Sequence, residues 1–426
     1  MSSEAVTAAQ RRLNRVPVPT GWKIIHLGDV FEPVVDTGHK LDLPVLSVTV
    51  GGRIVRRSSL DRRSDREVAR EKYLRVLPGD IAYNTMRMWQ GASGLVGEEG
   101  YISPAYTVCR PRPDESPEFW ATDFQNSAMI RAFRDHSQGF AKDRYRLYYH
   151  HFATVPALRP PLSEQRKIAA ILSSVDQAIE KTEAVIELLQ VAKGSMIREF
   201  LERGLPNAHS SFKISRIGTL PESWEVVSLG ECVEADRPIC YGILKPGRSW
   251  PGGVPVVKVK NIKFGRILEA DLLLTSPDLD EQYKRSRLRE RDILLTIRGT
   301  TGRLARVPAS LEGANITQDS ARISIRTGIS SSFVYYALQG EPLQKQIADH
   351  TRGQAVKGIN IRDVRRLMLP FPPLWEQEKI ADALELREIY HEAARQSLQA
   401  QKALKSALLQ SLLSGEIRVS PTESAT

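Results

Sequence analysis

The chain has 426 residues, 41% of them hydrophobic, three cysteines and a formal net charge of +10. Such a length holds roughly two to three ordinary domains. The cysteines are too few and too irregular for a disulfide framework or a zinc site, and no run of about eighteen apolar residues could span a membrane. The polar opening, Met1 to Arg15, lacks the apolar core of a signal peptide, so a cytoplasmic location is expected.

In chain order the sequence divides into a flexible tail (1–15), a mixed α/β domain (16–160), a long spacer helix (161–204) and a polar linker (205–217). A second mixed domain (218–372), a second long spacer helix (373–415) and a tail (416–426) follow. The first domain opens on Pro19-Thr20-Gly21-Trp22 and shows short strand patterns at 45–50, 81–84 and 106–109, with a helix pattern at 118–134. The second opens on Pro221-Glu222-Ser223-Trp224, with strand patterns at 254–259, 293–297 and 321–325 and a helix at 331–350. The two openings are offset by 202 residues and the two long helices by 212. The sequence is therefore a tandem duplication with similar frames and divergent centres.

Both helices begin alike, Pro161-Leu162-Ser163-Glu164-Gln165-Arg166-Lys167-Ile168-Ala169 and Pro373-Leu374-Trp375-Glu376-Gln377-Glu378-Lys379-Ile380-Ala381. Proline tolerates a helix start but not its interior, and the early carboxylate suits the positive end of the helix dipole. Ser163 is the expected cap of the first helix. Gly204 and Gly415 follow at the far ends, where the left-handed C′ position favours glycine. About forty residues at 1.5 Å each span roughly 60 Å, the length of a spacer. In the first helix Ile168, Leu172, Val175, Ile179, Ile186 and Leu189 form a heptad stripe. In the second, Ile380, Leu384, Leu398 and Leu408 mark a seam that is polar midway, at Arg387 and His391, with Ile389, Ala393, Ala400 and Leu404 available to supplement it. An antiparallel coiled coil is the preferred reading; the alternative packs each amphipathic helix on its own domain.

Charge is unevenly placed. Residues 1–160 carry +5 and residues 205–373 carry +8, whereas the helical segments 161–204 and 374–426 carry −1 and −2. Basic globular parts suit a polyanion and near-neutral helices suit protein partners, although a modest basic excess also occurs on ordinary solvated surfaces. Phosphate loops, paired histidine–glutamate zinc motifs and nucleotide-binding glycine turns are missing, and the adjacent His150 and His151 do not share one face of a helix or strand. The glycines of 91–94 and 299–302 read as loop glycines. Asp80 and Asp292 recur in both halves and read as turn residues. No catalytic site and no metal site is expected. Basic clusters occur at Arg62, Arg63, Arg66 and Arg70 and along 284–291. The candidate DNA-contacting residues are Arg87, Lys142, Arg144 and Arg146 in the first half. In the second they are Lys260, Arg298, Arg303, Gln318, Lys357, Asn360 and Arg362, since base reading needs Arg, Asn or Gln on exposed loops.

With both Pro-Leu-x-Glu-Gln-x-Lys-Ile-Ala openings in view, nearly the whole chain resembles the specificity subunit of type I restriction–modification systems. The Pro-x-x-Trp openings, Ile102-Ser103-Pro104-Ala105-Tyr106 and Gly353-Gln354-Ala355-Val356-Lys357-Gly358-Ile359-Asn360 add to the likeness. The resemblance implies an α+β protein with two tandem target-recognition domains joined by an antiparallel coiled coil, pseudo-two-fold symmetric. Each domain would read one half of a split double-stranded DNA site, with half-sites about one helical turn (~34 Å) apart. Divergent inserts imply an asymmetric site. Two methyltransferase subunits and the restriction–translocase subunits would dock on it, and these would carry the S-adenosylmethionine, ATP and Mg of the chemistry, leaving this chain without cofactor or catalysis. A protein-interaction scaffold that ignores DNA, or an inactive remnant, is the alternative expectation.

Overall fold

The computed structural model describes residues 18–37, 42–49, 51–59, 72–139, 145–353 and 357–419. It resolves into two compact units, residues 1–183 with 397–426, and residues 184–396.

In the first unit β1 (Lys23–His26) leads through the one-turn α1 (Leu27–Val30) to β2 (Phe31–Pro33), β3 (Val45–Val48), β4 (Ile54–Arg56), β5 (Leu74–Val76), β6 (Ile81–Asn84), β7 (Ser93–Leu95), β8 (Gly100–Ile102) and β9 (Tyr106–Pro111). One sheet has the order β2-β9-β6-β7, the other β4-β3-β8-β5 with β3 and β8 parallel. Helices α2 (Pro117–Asp123), α3 (Ser127–His136) and the short α4 (Tyr149–Phe152) follow, then β10 (Pro156–Arg159), which returns to pair with β1. Helix α5 (Leu162–Arg203) leaves from there. The aromatic core gathers Phe31, Phe119, Trp120, Phe124, Phe133 and Phe152.

The second unit begins with the hairpin β11 (Phe212–Ser215) and β12 (Gly218–Pro221), then β13 (Glu225–Ser228), β14 (Cys240–Tyr241), β15 (Val254–Val257), the hairpin β16 (Ile262–Lys263) and β17 (Arg266–Ile267), and β18 (Leu273–Thr275). Helix α6 (Pro277–Gln282) precedes β19 (Ile293–Thr296), β20 (Leu304–Arg306), β21 (Asn315–Ile316) and β22 (Ser320–Ile323). Its sheets, β14-β22-β19-β20 and β18-β15-β21, again combine one all-antiparallel sheet with one that holds a parallel pair, β15 and β21. Helices α7 (Ser331–Gln339), α8 (Glu341–His350) and α9 (Ile361–Arg365) lead to β23 (Met368–Phe371), which pairs with β13, and to α10 (Leu374–Leu413).

The expected helices at 118–134 and 331–350 are each two helices. Asn126 accepts a bond from the Ala128 amide and starts α3 anew. Gly340 is extended and Pro342 sits in the first turn of α8, where a proline deep in one continuous helix would clash with the preceding turn. The expected cap is also corrected. Both long helices start at the residue after the proline, and the carbonyls of Pro161 and Pro373 accept the first amides. Ser163 and its counterpart Trp375 therefore lie inside the first turn, so the tryptophan costs no cap. Gly204 and Gly415 both take φ +71°, the left-handed conformation that ends a helix.

Each unit contains one end of each long helix. In the first, Ile168 and Leu172 of α5 share a core with Leu412 and Leu413 of α10. In the second, Ile197 and Leu201 of α5 share a core with Ile380, Ala381 and Leu384 of α10. The start of one helix meets the end of the other, so the pair is an antiparallel coiled coil, and each end also packs on its unit's sheet and helices. Both arrangements expected from sequence occur together. Val175, Ile186, Leu189, Leu398 and Leu408 are half-buried, and Ile179 is buried. The supplementary residues behave otherwise: Ile389, Ala393, Ala400 and Leu404 are exposed, and the polar middle is filled by Arg387 itself, 6% exposed. Ion pairs line the seam, Asp176 with Lys405 (2.5 Å) and Glu183 with Lys402 (2.7 Å) in the first unit, Lys193 with Glu388 (2.9 Å) in the second.

Candidate nucleic-acid interface

The duplicated motifs form one recurring frame. The indole N–H of Trp22 donates to Glu164 at 2.5 Å, and that of Trp224 to Glu376 at 2.9 Å. The neighbouring glutamines do a second job. Gln165 accepts from the Ser116 amide and donates to the Pro160 carbonyl; Gln377 accepts from Ser330 and donates to Pro372. Ser116 and Ser330 cap α2 and α7. Each Glu-Gln pair thus ties the domain opening, the returning strand and a packing helix to the start of a long helix. All four side chains are buried, and burying polar groups without such hydrogen-bond partners is costly. Asp80 and Asp292 are structural as read: each accepts a turn amide (Leu77, Arg289) and an arginine, Arg110 and Arg237 respectively.

Upon this frame sits a recurring junction. The Leu147 amide donates to Thr85 just beyond β6, and the Ile359 amide to Ile297 just beyond β19. What surrounds the junction differs. In the second unit the buried hydroxyl of Thr296 donates to the Thr300 carbonyl and accepts from the Arg303 amide, closing the loop 297–303. Gly302 takes φ +86°, and a Cβ there would meet the Gln344 side chain at 2.8 Å, so the tight return requires glycine. Arg298 is exposed, bridges to Gly358 and donates to Gln318 Oε1 at 2.9 Å. The Gly299 amide donates to the Lys357 carbonyl. Arg298, Gln318 and the backbone of Lys357, distant in sequence, therefore meet at one place, with a cation bonded to an amide that can both donate and accept.

The other candidates of this unit fall elsewhere. Arg303 lines a separate cavity with Lys263 and Phe264. Lys260 lies exposed on the turn Val259–Asn261. Asn360 is committed to structure, since its side chain caps α9 through the Asp363 amide and donates to the Asp363 carboxylate. Arg362 points from the same turn at 4.0 Å from Asp363. In the first unit, Arg87 is exposed on a turn braced by the Asn84 side chain on the Met86 amide and by the Trp89 indole on the Met86 carbonyl. The Trp89 ring meets Tyr145 edge-on at 5.8 Å, and Arg146, exposed, reaches the Tyr148 hydroxyl at 3.3 Å. Lys142 and Arg144, with Arg62, Arg63, Arg66 and Arg70, lie outside the described residues. Sequence reasoning missed Trp89, whose signal is its place between Arg87 and Gly91. It also missed the buried cations Arg237 and Arg322, for which no motif speaks.

The comparisons agree with this architecture. Residues 221–388 match the family model of the type I restriction modification DNA specificity domain. The chain is 24% identical over 431 residues to the type I restriction enzyme MjaVIII specificity subunit of Methanocaldococcus jannaschii, covering 96% of each. It is 27% identical to the EcoBI specificity subunit of Escherichia coli over 61% of this chain and 57% of that protein, so the chain spans little more than half the length of that relative. Against the MjaX specificity subunit it is 33% identical over 61% of this chain and 59% of that protein. The fold resembles the S subunit of the type I system of M. genitalium (TM-score 0.56, 14% identity, 94% of this chain and 97% of that one). It also resembles a chain from a structure of type I R-M complex assembly (TM-score 0.52, 18% identity, 94% and 99%). The fold is thus that of these solved structures, and the second unit holds the stretch that matches the DNA specificity domain. Residues 221–388 match that DNA specificity domain, and over nearly its whole length the chain is similar to type I restriction enzyme specificity subunits.

Proposed function

We propose that this chain is the DNA-reading subunit of a type I restriction–modification complex, each unit reading one half of an asymmetric, bipartite site in double-stranded DNA. The observation that carries this is one frame bearing two unlike surfaces. The junction Thr85–Leu147 presents Arg87, Trp89, Tyr145 and Arg146, while Ile297–Ile359 presents Arg298, Gln318 and Lys357. Arginine and glutamine make paired bonds to base edges, and unlike sets on like scaffolds select unlike half-sites. Methyltransferase subunits dock along the coiled coil, where Leu188, Val191, Leu386, Ile389 and Tyr390 stand exposed on the half-helices of the second unit, apolar surface of the kind that marks protein contacts. Restriction subunits join that complex, and S-adenosylmethionine, ATP and Mg act within these partners, in the cytoplasm.

The test is a genome-wide map of modified adenines in cells expressing this chain with its methyltransferase partner. A split, asymmetric motif with a fixed gap is expected, and exchanging residues 218–372 for those of another specificity subunit should alter one half only. An absence of modification, with the partner active beside another specificity subunit, would favour a scaffold or a remnant.

A further inference from the structure

The second unit holds a cavity of about 610 Å³, walled by β14, the segment 284–289 and α9, apart from the Arg298 loop. Seven basic side chains line it against two acidic ones, Asp236 and Glu312. Some of the cations are already matched. Arg287 pairs with Asp280 and Glu281, and Lys284 with Glu281. Arg237 and Arg289 have Asp292 and Glu234, and Arg322, Arg285 and Arg365 make no side-chain ion pair among the described residues. Arg322, 1% exposed, rises from β22 with no carboxylate partner among the described residues. Its terminal nitrogens bond the Pro238 and Arg285 carbonyls and the Ser324 hydroxyl, while its Nε has no partner. Arg237, also largely buried, donates to Asp292, the carboxylate that Ser324 engages as well. Two buried guanidinium groups thus face one carboxylate. Burial depresses Arg237 below its ordinary range, and the charge of Arg322 opposes the help of Asp292. At the mouth, Arg285 is exposed and makes no side-chain ion pair among the described residues, and Arg289 stands 3.6 Å from Glu234.

A buried cation without a counter-charge is costly, and planar guanidinium groups match the oxygens of a phosphate. We propose that this cavity is a phosphate-binding site, with Arg322 and Arg237 as its floor and Arg285 and Arg289 as its rim. The phosphate comes either from the DNA backbone, in which case the site rests on the reading above and anchors the second half-site without reading bases, or from free phosphate, in which case it stands independently.

The full chain and its R285A/R289A variant separate these sources. Both substitutions are at exposed side chains, and the Arg285 carbonyl that holds Arg322 is kept. Inorganic phosphate, titrated against chloride at constant ionic strength, is expected to raise the melting temperature of the parent, with at least a tenfold weaker response in the variant. Duplex binding is then measured across a salt series. A backbone source lowers the variant's salt slope by about 1 to 2 and weakens all sequences alike; a free-phosphate source leaves that slope unchanged while the phosphate response is lost. Equal phosphate responses, or none in either protein, together with an unchanged salt slope would overturn the site. Failure of the parent to bind any duplex would instead count against the DNA-reading function, and the phosphate titration would still judge the cavity.

Discussion

The two units build one frame with different closing groups. Glu164 and Glu376 both hold a tryptophan, but Glu164 gives its other oxygen to Arg418, whereas Glu376 gives its own to His209 and to the Leu205 amide. Arg418 is 38% exposed and His209 12%. One carboxylate is therefore tied to a group that can return to water, the other to groups that cannot. The latch is common to both halves while its sensitivity is not, so duplication fixes geometry and leaves energetics free to drift. The largest expected effect tests that difference. Glu376→Ala strands the Trp224 indole, His209 and the Leu205 amide, and should cost about 3–5 kcal/mol. Glu164→Ala should cost visibly less, since Arg418 rehydrates. Urea unfolding of the two variants, monitored by tryptophan fluorescence, compares them directly; equal losses would contradict the argument.

A second contrast lies on the helix behind the latch. Ser116 and Ser330 cap equivalent helices, and seven residues further on the first unit carries Asp123 where the second carries Ala337. Both are buried. Burial raises the Asp123 carboxyl to about 7, with a side-chain bond to Asn126 opposing the rise. In the unfolded chain such a carboxyl titrates near 3.9. Because the folded value is the higher one, the folded state holds the proton where the unfolded state has lost it. Stability therefore falls as pH rises from about 4 to about 7 and is level beyond, a loss of at most on the order of 4 kcal/mol. Asp123→Ala, which imports the second unit's residue, should stabilise the protein at pH 7.5 and flatten the slope between pH 4 and 7. An undiminished slope in the variant would show that other groups produce it.

These contrasts also explain what could be read in advance. The frame was legible because it is written in local motifs: prolines that start helices, a tryptophan at a fixed place, a Glu-Gln pair and a closing glycine. The break at Gly340–Pro342 was overlooked because the apolar period continues across it from Leu338 to Leu343. Ser163 misled because serine favours cap positions, while the helix already begins at Leu162 and places the serine within its first turn. The surface was legible only as composition. Arg298, Gln318 and Lys357 meet through the β19–β22 pairing and the Ile297–Ile359 junction, and single-sequence spacing carries no trace of those partners. Arg322 was invisible for the opposite reason, since 321–325 reads only as a short strand that happens to carry one charge.

At the reading surface the comparison predicts independence. Arg298→Ala should cost about 1–3 kcal/mol in binding to the parent site and relax discrimination in one half of the modified motif. Arg87→Ala should act on the other half alone. Both are read from adenine-modification maps of the variants. A substitution that blurred both halves equally would indicate loss of fold or of general affinity instead of base reading.

The smallest effects separate the two ends of the coiled coil. The Lys193–Glu388 pair of the second unit has side chains 15% and 29% exposed, whereas Lys402 and Glu183 of the first are 55% and 45% exposed. Exposed pairs gain little over hydrated ions, while sheltered ones are screened less. Lys193→Met should therefore cost about 1 kcal/mol and leave Glu388 beside the buried Arg387, which limits the loss by taking over as its counter-charge. Lys402→Met should cost under about 0.5 kcal/mol, and that small loss should vanish in 1 M salt. Melting curves of both variants at low and high salt measure the difference. If Lys402→Met proved the more costly, the polar middle of the second seam would not be the place where charge pairing matters.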